Sequence, residues 1–88
     1  MNINFLRIPL FDMLHIDNVN EFKGLNKEDI ESFKSGYEES EFEGIVESIR
    51  WAKQNPDYDF LALMPKLKKS NEDIYIYLCK LESSLKDT

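Results

Sequence analysis

The sequence predicts an all-α fold, a compact single-domain bundle of four to five short helices. Three observations predict it. Apolar residues recur at three- and four-residue spacing in several stretches, as one face of a helix requires. Side chains suited to helix N-caps stand just ahead of those stretches. No segment sustains the alternation of a half-buried strand. The 88 residues suit one domain, and no repeat or low-complexity linker divides them.

The elements follow in chain order. In "INFLRIPLFDMLHI", Phe5, Leu6, Leu10, Phe11 and Leu14 fit helical spacing, and a proline is tolerated in a first turn. A helix beginning near Pro9 is expected, with an extended arm as the alternative. Asn26 can cap "KEDIESFKSGY", where Ile30, Phe33 and Tyr37 are spaced by three and four, giving a helix over about 27–37. Ser40 and Glu43 form an S-x-x-E capping box. Phe42, Ile45, Val46 and Ile49, with Ala52 or Lys53, then make the inner stripe of a helix over about 41–54. Asn55–Pro56 ends it, because the residue before proline is pushed away from helical geometry. Gly44 costs about 1 kcal/mol in helix propensity relative to alanine, which suggests a close packing neighbour. The short turn between these two helices implies antiparallel or steep packing.

"DYDFLALM" reads as a short helix capped by Asp57 or its neighbour, and "KLKKS" as a loop. Ser70 then caps the last helix, with Glu72 and Asp73 in the first turn, where the helix dipole favours anions. Ile74, Tyr77, Leu78, Leu81 and Leu85 draw one apolar stripe, giving a helix over about 71–86. The alternation within "IYIYL" is outweighed by the cap and by spacing that continues to Leu85.

Composition narrows function. Formal net charge is −6 and the sequence pI is about 4.7. Nine acids against three lysines put a net −6 into residues 21–47, while residues 1–20 carry −1 and residues 48–88 carry +1. Such a field repels nucleic acid and anionic membranes and attracts cationic partners. Direct nucleic-acid binding is disfavoured, because phosphate contacts need Lys and Arg. Cys79 is alone, so no intrachain disulfide is expected. No signal peptide and no apolar run of about 20 residues is seen, so the expected location is cytoplasmic.

No catalytic, cofactor-binding or metal-ligating residue is assigned. His15 is the only histidine and lies between Leu14 and Ile16, with no nucleophile at a persuasive spacing. Cys79 reads as a small half-buried hydrophobe. "DYD" and "EESEFEG" both miss the calcium-loop pattern, and zinc needs more Cys and His.

The acidic cluster remains: Glu38, Glu39, Glu41, Glu43 and Glu47. Glu39, Glu43 and Glu47 stack on one helix edge, where like charges four apart cost a few tenths of a kcal/mol. The bland reading is a solvated face. The sharper one is a surface that docks on a basic protein, with Tyr37, Trp51 and Tyr58 as aromatic anchors ringed by charge. Trp51 sits about a quarter turn outside the inner stripe, at the core edge. Asp57 and Asp59 either cap the short helix or extend the acidic face past Pro56.

The stretch "SEFEGIVESIRWAKQNPDYDFLALMPKLKKSNEDIYIYLCKL" resembles small acidic bacterial immunity proteins that pair with polymorphic, contact-dependent or bacteriocin-type toxins. The likeness lies in size, acidity and general character and covers about half the chain. It implies an immunity or antitoxin role, with a cognate basic toxin, a nuclease above all, as partner. The inhibitor would be a monomer or weak dimer on its own. Two other classes fit the same residues: an acidic nucleic-acid mimic that blocks a DNA- or RNA-binding protein, and a non-catalytic helical adaptor.

Overall fold

A computed structural model describes residues 2–85. Four α-helices carry the fold: α1 (Arg7–Met13), α2 (Lys27–Ser35), α3 (Glu39–Lys53) and α4 (Asn71–Leu85). Three 3₁₀ turns, Ile3–Leu6, Phe60–Leu63 and Pro65–Leu67, complete it, and no strand occurs among the described residues. The Cα radius of gyration is 12.0 Å, close to the roughly 12 Å of a compact chain this long. The fold is therefore the small all-α bundle that periodicity predicted.

α3 packing on α4 is the principal contact, and the Ile3–Leu6 turn lies against α3. α4 buries Ile74, Tyr77, Leu78, Leu81 and Leu85, the same five positions as the predicted stripe. Its cap is also as expected: the Asp73 N–H donates to Ser70 Oγ at 3.0 Å. Residue 86, where the helix was expected to end, lies outside the described residues. α3 buries Phe42, Ile45, Ile49 and Ala52, while Val46 is half-buried and Lys53 is exposed. Lys53 belongs to the surface, where its ammonium meets Glu82 of α4 at 3.1 Å.

The α3 start differs from expectation. It begins at Glu39, with Glu38 as N-cap, and the Glu38 N–H donates to Glu41 Oε1 at 3.2 Å. The expected box of Ser40 with Glu43 is thus displaced two residues upstream. A glutamate three residues ahead can close the same ring from Glu38, and starting earlier adds half a turn to the helix. Ser48 is an unexpected core residue at 0% exposure. Its hydroxyl donates to the Gly44 carbonyl at 2.8 Å, so no polar atom is orphaned.

The N-terminal segment is helical but set differently. The 3₁₀ turn runs straight into α1, and the buried residues are Leu6, Pro9, Leu10 and Met13. Phe11 and Leu14, grouped with Leu6 and Leu10 by helical spacing, do not share their burial and are 59% and 42% exposed. Leu6, Pro9, Leu10 and Met13 satisfy the i, i+3, i+4, i+7 pattern, and a helix has only one such face to turn inward. Phe5 packs its ring over Gly44, where an added Cβ would lie 2.7 Å from Phe5 Cε2. That is the close neighbour the glycine implied.

α2 ends at Ser35, two residues short of the predicted end, and has no fully buried residue. Asn26 caps it as expected, accepting from the Asp29 N–H at 2.8 Å. Residues 57–59 form no helix. Only Phe60–Leu63 coils, as a 3₁₀ turn, and neither Asp57 nor Asp59 caps it with its side chain. Asn71 explains this: its Oδ1 accepts from the Phe60 N–H and its Nδ2 donates to the Tyr58 carbonyl, both at 2.7 Å. Those bonds tie the chain to the start of α4 and leave no room for a longer helix. The predicted "KLKKS" loop begins with the Pro65–Leu67 turn and reverses through Lys68 in left-handed geometry, φ 54°.

The connection between α1 and α2 is irregular and is pinned to α4. Gly24 has φ 91° and sits against Ser84, so it meets both conditions that favour glycine. The adjacent Leu25 N–H donates to Ser84 Oγ at 2.9 Å. Tyr77 spans from α4 to α1, its phenol donating to the Pro9 carbonyl at 2.7 Å. Burial, followed by the nearby Asp12 charge, pushes that phenol's pKa well up.

Candidate functional site

α3 sets the position of Glu39, Glu41, Glu43 and Glu47. Its buried arc is fixed by Phe42, Ile45, Ser48, Ile49 and Ala52. At 3.6 residues per turn the opposite side carries Glu39, Glu43 and Glu47, all exposed. Successive carboxylates are about 6 Å apart along the axis, from a 1.5 Å rise per residue. Among the described residues none of the three forms an ion pair.

The other two glutamates play different parts. Glu38 is the N-cap, and Glu41 turns back to accept its N–H. Glu41 is exposed but lies around the helix from the Glu39–Glu43–Glu47 edge, because two residues advance about 200°. Arg50 shares the outer side with the edge. With Phe42, Glu43, Val46, Glu47 and Leu85 it frames an open depression of about 300 Å³. The face is therefore a strip of three carboxylates bounded by one guanidinium.

The aromatic residues divide between the two ends of that strip. Tyr37 packs on Phe33 with ring centroids 5.4 Å apart, beside the start of α3. It also lines a second depression, of about 320 Å³, with Phe11 and Met64. Trp51 lies near the other end of α3, about 18 Å away along the helix axis from Glu39. It meets Tyr58 edge-on at 5.0 Å, and Tyr58 meets Phe60 at 5.3 Å. Trp51 and Tyr58 are both half-buried, so each offers one edge to solvent. Asp57 and Asp59 are exposed in the turn beside them. The predicted site is thus an acidic strip with an aromatic group at each end, not a single ring of aromatics.

Two features escaped sequence reading. Phe11 and Leu14 form an exposed apolar corner, recoverable only by noticing that Leu6, Pro9, Leu10 and Met13 outcompete them for the inner face. Asn71 holds Tyr58 in place across 13 residues, and no local pattern announces such a bond. Among the described residues no three His, Cys, Asp or Glu side chains converge to hold a metal ion, and no helix is long and apolar enough to cross a membrane. No protein-family model, curated protein or solved structure matches this chain.

Proposed function

We propose that this protein is an immunity or antitoxin-type inhibitor that binds a cognate basic toxin, a nuclease by chemical class, through the outer face of α3. The observation that carries the reading is the strip of Glu39, Glu43 and Glu47, exposed, on one side of one helix and without ion pairs among the described residues. Nuclease active sites are positive because they hold phosphates. Carboxylates presented there occupy the same field and speed association. Tyr37 at one end, and Trp51 with Tyr58 at the other, supply the apolar contact that charge alone lacks. Glu38, Asp57 and Asp59 extend the negative potential beyond both ends of the helix. The inhibitor acts in the cytoplasm, where a nuclease would meet its substrate.

Charge reversal tests this. Glu43→Lys with Glu47→Lys should slow association with the cognate toxin and abolish protection of cells expressing it. A double variant that protects as well as wild type places the interface elsewhere. The exposed Phe11 and Leu14 favour a second reading, an adaptor that pairs through α1. Sedimentation separates the two, since a tight dimer lost in Phe11→Ser would support the adaptor, whereas the inhibitor is a monomer or at most a weak dimer.

A further inference from the structure

Among the described residues, Phe11 and Leu14 are the large apolar side chains left exposed, and both lie on α1 or at its end. Leu6, Pro9, Leu10 and Met13 fill the inward side. Arg7, Ile8, Phe11 and Asp12 are left to form the outer face, with Ile8 half-buried and the other three exposed. At about 100° per residue, Arg7 and Asp12 stand about 140° apart around the helix, and Phe11 and Ile8 lie between them. The four share one surface, where with Tyr37 and Met64 they frame the depression of about 320 Å³.

Charge selects what covers this face. One cation and one anion stand at its opposite edges. Lys53 with Glu82 is the ion pair found among the described residues, so Arg7 and Asp12 are not paired within the chain. A strongly basic partner would lose at Arg7 what it gained at Asp12. A second copy of the chain loses nothing, because in a two-fold interface residue i meets residue j and j meets i. A two-fold axis square to the line from Arg7 to Asp12 sets each Arg7 against the other copy's Asp12. The same axis crosses the apolar middle of the face, so each Phe11 ring covers apolar surface of the other copy. Roughly 150 Å³ accommodates benzene, so the depression has room for that ring.

We infer that the outer face of α1 is a self-association surface, on which a second copy docks about a two-fold axis with Arg7 against Asp12 twice and Phe11 covered between. This goes beyond the inhibitor reading and holds whether or not α3 binds a toxin. The dimer is weak. α1 has seven residues and is about 10 Å long, so the face buries less than the roughly 1,200 Å² at the low end of stable interfaces. The net charge of −6 on each copy opposes association further.

Sedimentation equilibrium of the whole chain, taken into the millimolar range, tests it. Wild type should pass from monomer to dimer as concentration rises. Phe11→Ser should weaken the dimer by about tenfold or more. Arg7→Glu and Asp12→Arg should each weaken it by about fivefold or more, because like charges then meet twice. An equimolar mixture of those two variants should regain most of the wild-type affinity, since the two reversed charges face each other and so do the two native ones. Such recovery requires two copies in contact and cannot come from misfolding. Glu43→Lys with Glu47→Lys should not weaken the dimer, which keeps this surface distinct from the acidic strip. A chain that stays monomeric throughout, a dimer that survives Phe11→Ser, or a mixture no better than its components overturns the inference. Loss of the dimer in Glu43→Lys with Glu47→Lys also overturns it, because the contact would then lie on α3.

Discussion

Gly44→Ala sets two opposing terms against each other at a single position. Alanine in a helix interior is favoured over glycine by about 0.8–1.0 kcal/mol. The added methyl, however, would lie 2.7 Å from Phe5 Cε2 and 3.0 Å from Phe5 Cζ. Carbon atoms rest at about 3.5–4.0 Å, so the ring must move by several tenths of an ångström or more. Overpacking of this kind costs about 1–3 kcal/mol. Phe5 is half-buried and can give way in part, but several ring atoms meet the methyl at once, so the cost falls near the middle of that range, about 2 kcal/mol. The expected net effect is a loss of about 1 kcal/mol. In a Phe5→Ala background the obstruction is gone, and the same substitution should stabilise by about 1 kcal/mol. The coupling between the two sites is then about 2 kcal/mol, within the range for residues in contact. Urea unfolding followed by circular dichroism measures it, with an unchanged m-value as the check that midpoints report stability. If Gly44→Ala raises the midpoint equally in both backgrounds, the Phe5 ring does not rest on Gly44 and the placement of the N-terminal turn is wrong.

Leu78→Ala removes a fully buried side chain at the α3–α4 contact and should cost about 2–5 kcal/mol, read by the same unfolding assay. Asn71→Ala strands the Phe60 N–H and the Tyr58 carbonyl together and should cost about 1–3 kcal/mol. Trp51 fluorescence should change with it, since Trp51 rests on Tyr58. Tyr77 makes stability pH-dependent at the alkaline end. Its folded pKa is raised, so the folded state holds the proton more tightly; its contribution is complete below the unfolded value of about 10 and is lost as pH rises above it. Tyr77→Phe should lower stability at pH 7 by about 1 kcal/mol and flatten the decline between pH 10 and 11. Lys53→Ala should change stability by less than about 1 kcal/mol, because its partner pair is partly exposed to solvent.

How much of the fold was legible depended on whether each signal was local. The α4 stripe and its Ser70 cap were read correctly because both lie within one helix and obey its period. The Asn26 cap and the stop at Asn55–Pro56 were local in the same way. The start of α3 was misplaced because Glu38–Glu41 and Ser40–Glu43 are both plausible boxes, and only the folded backbone chooses between them. Residues 57–64 were misread because a bond from Asn71, distant in sequence, decides their shape. The acidic edge was legible from four-residue spacing. The separation of Tyr37 from Trp51 and Tyr58 was visible only once α3 had a length and the chain beyond it a direction.

By itself the sequence determined the all-α class, the inner faces of α3 and α4 and the concentration of negative charge, because periodicity and charge are properties of neighbouring residues. Tertiary structure decided which face of α1 turns inward, leaving Phe11 outside, and where Phe5 and Asn71 reach across the chain. Those outcomes arise from competition among several elements for one small core. A competition of that kind has no signature in any single stretch of residues.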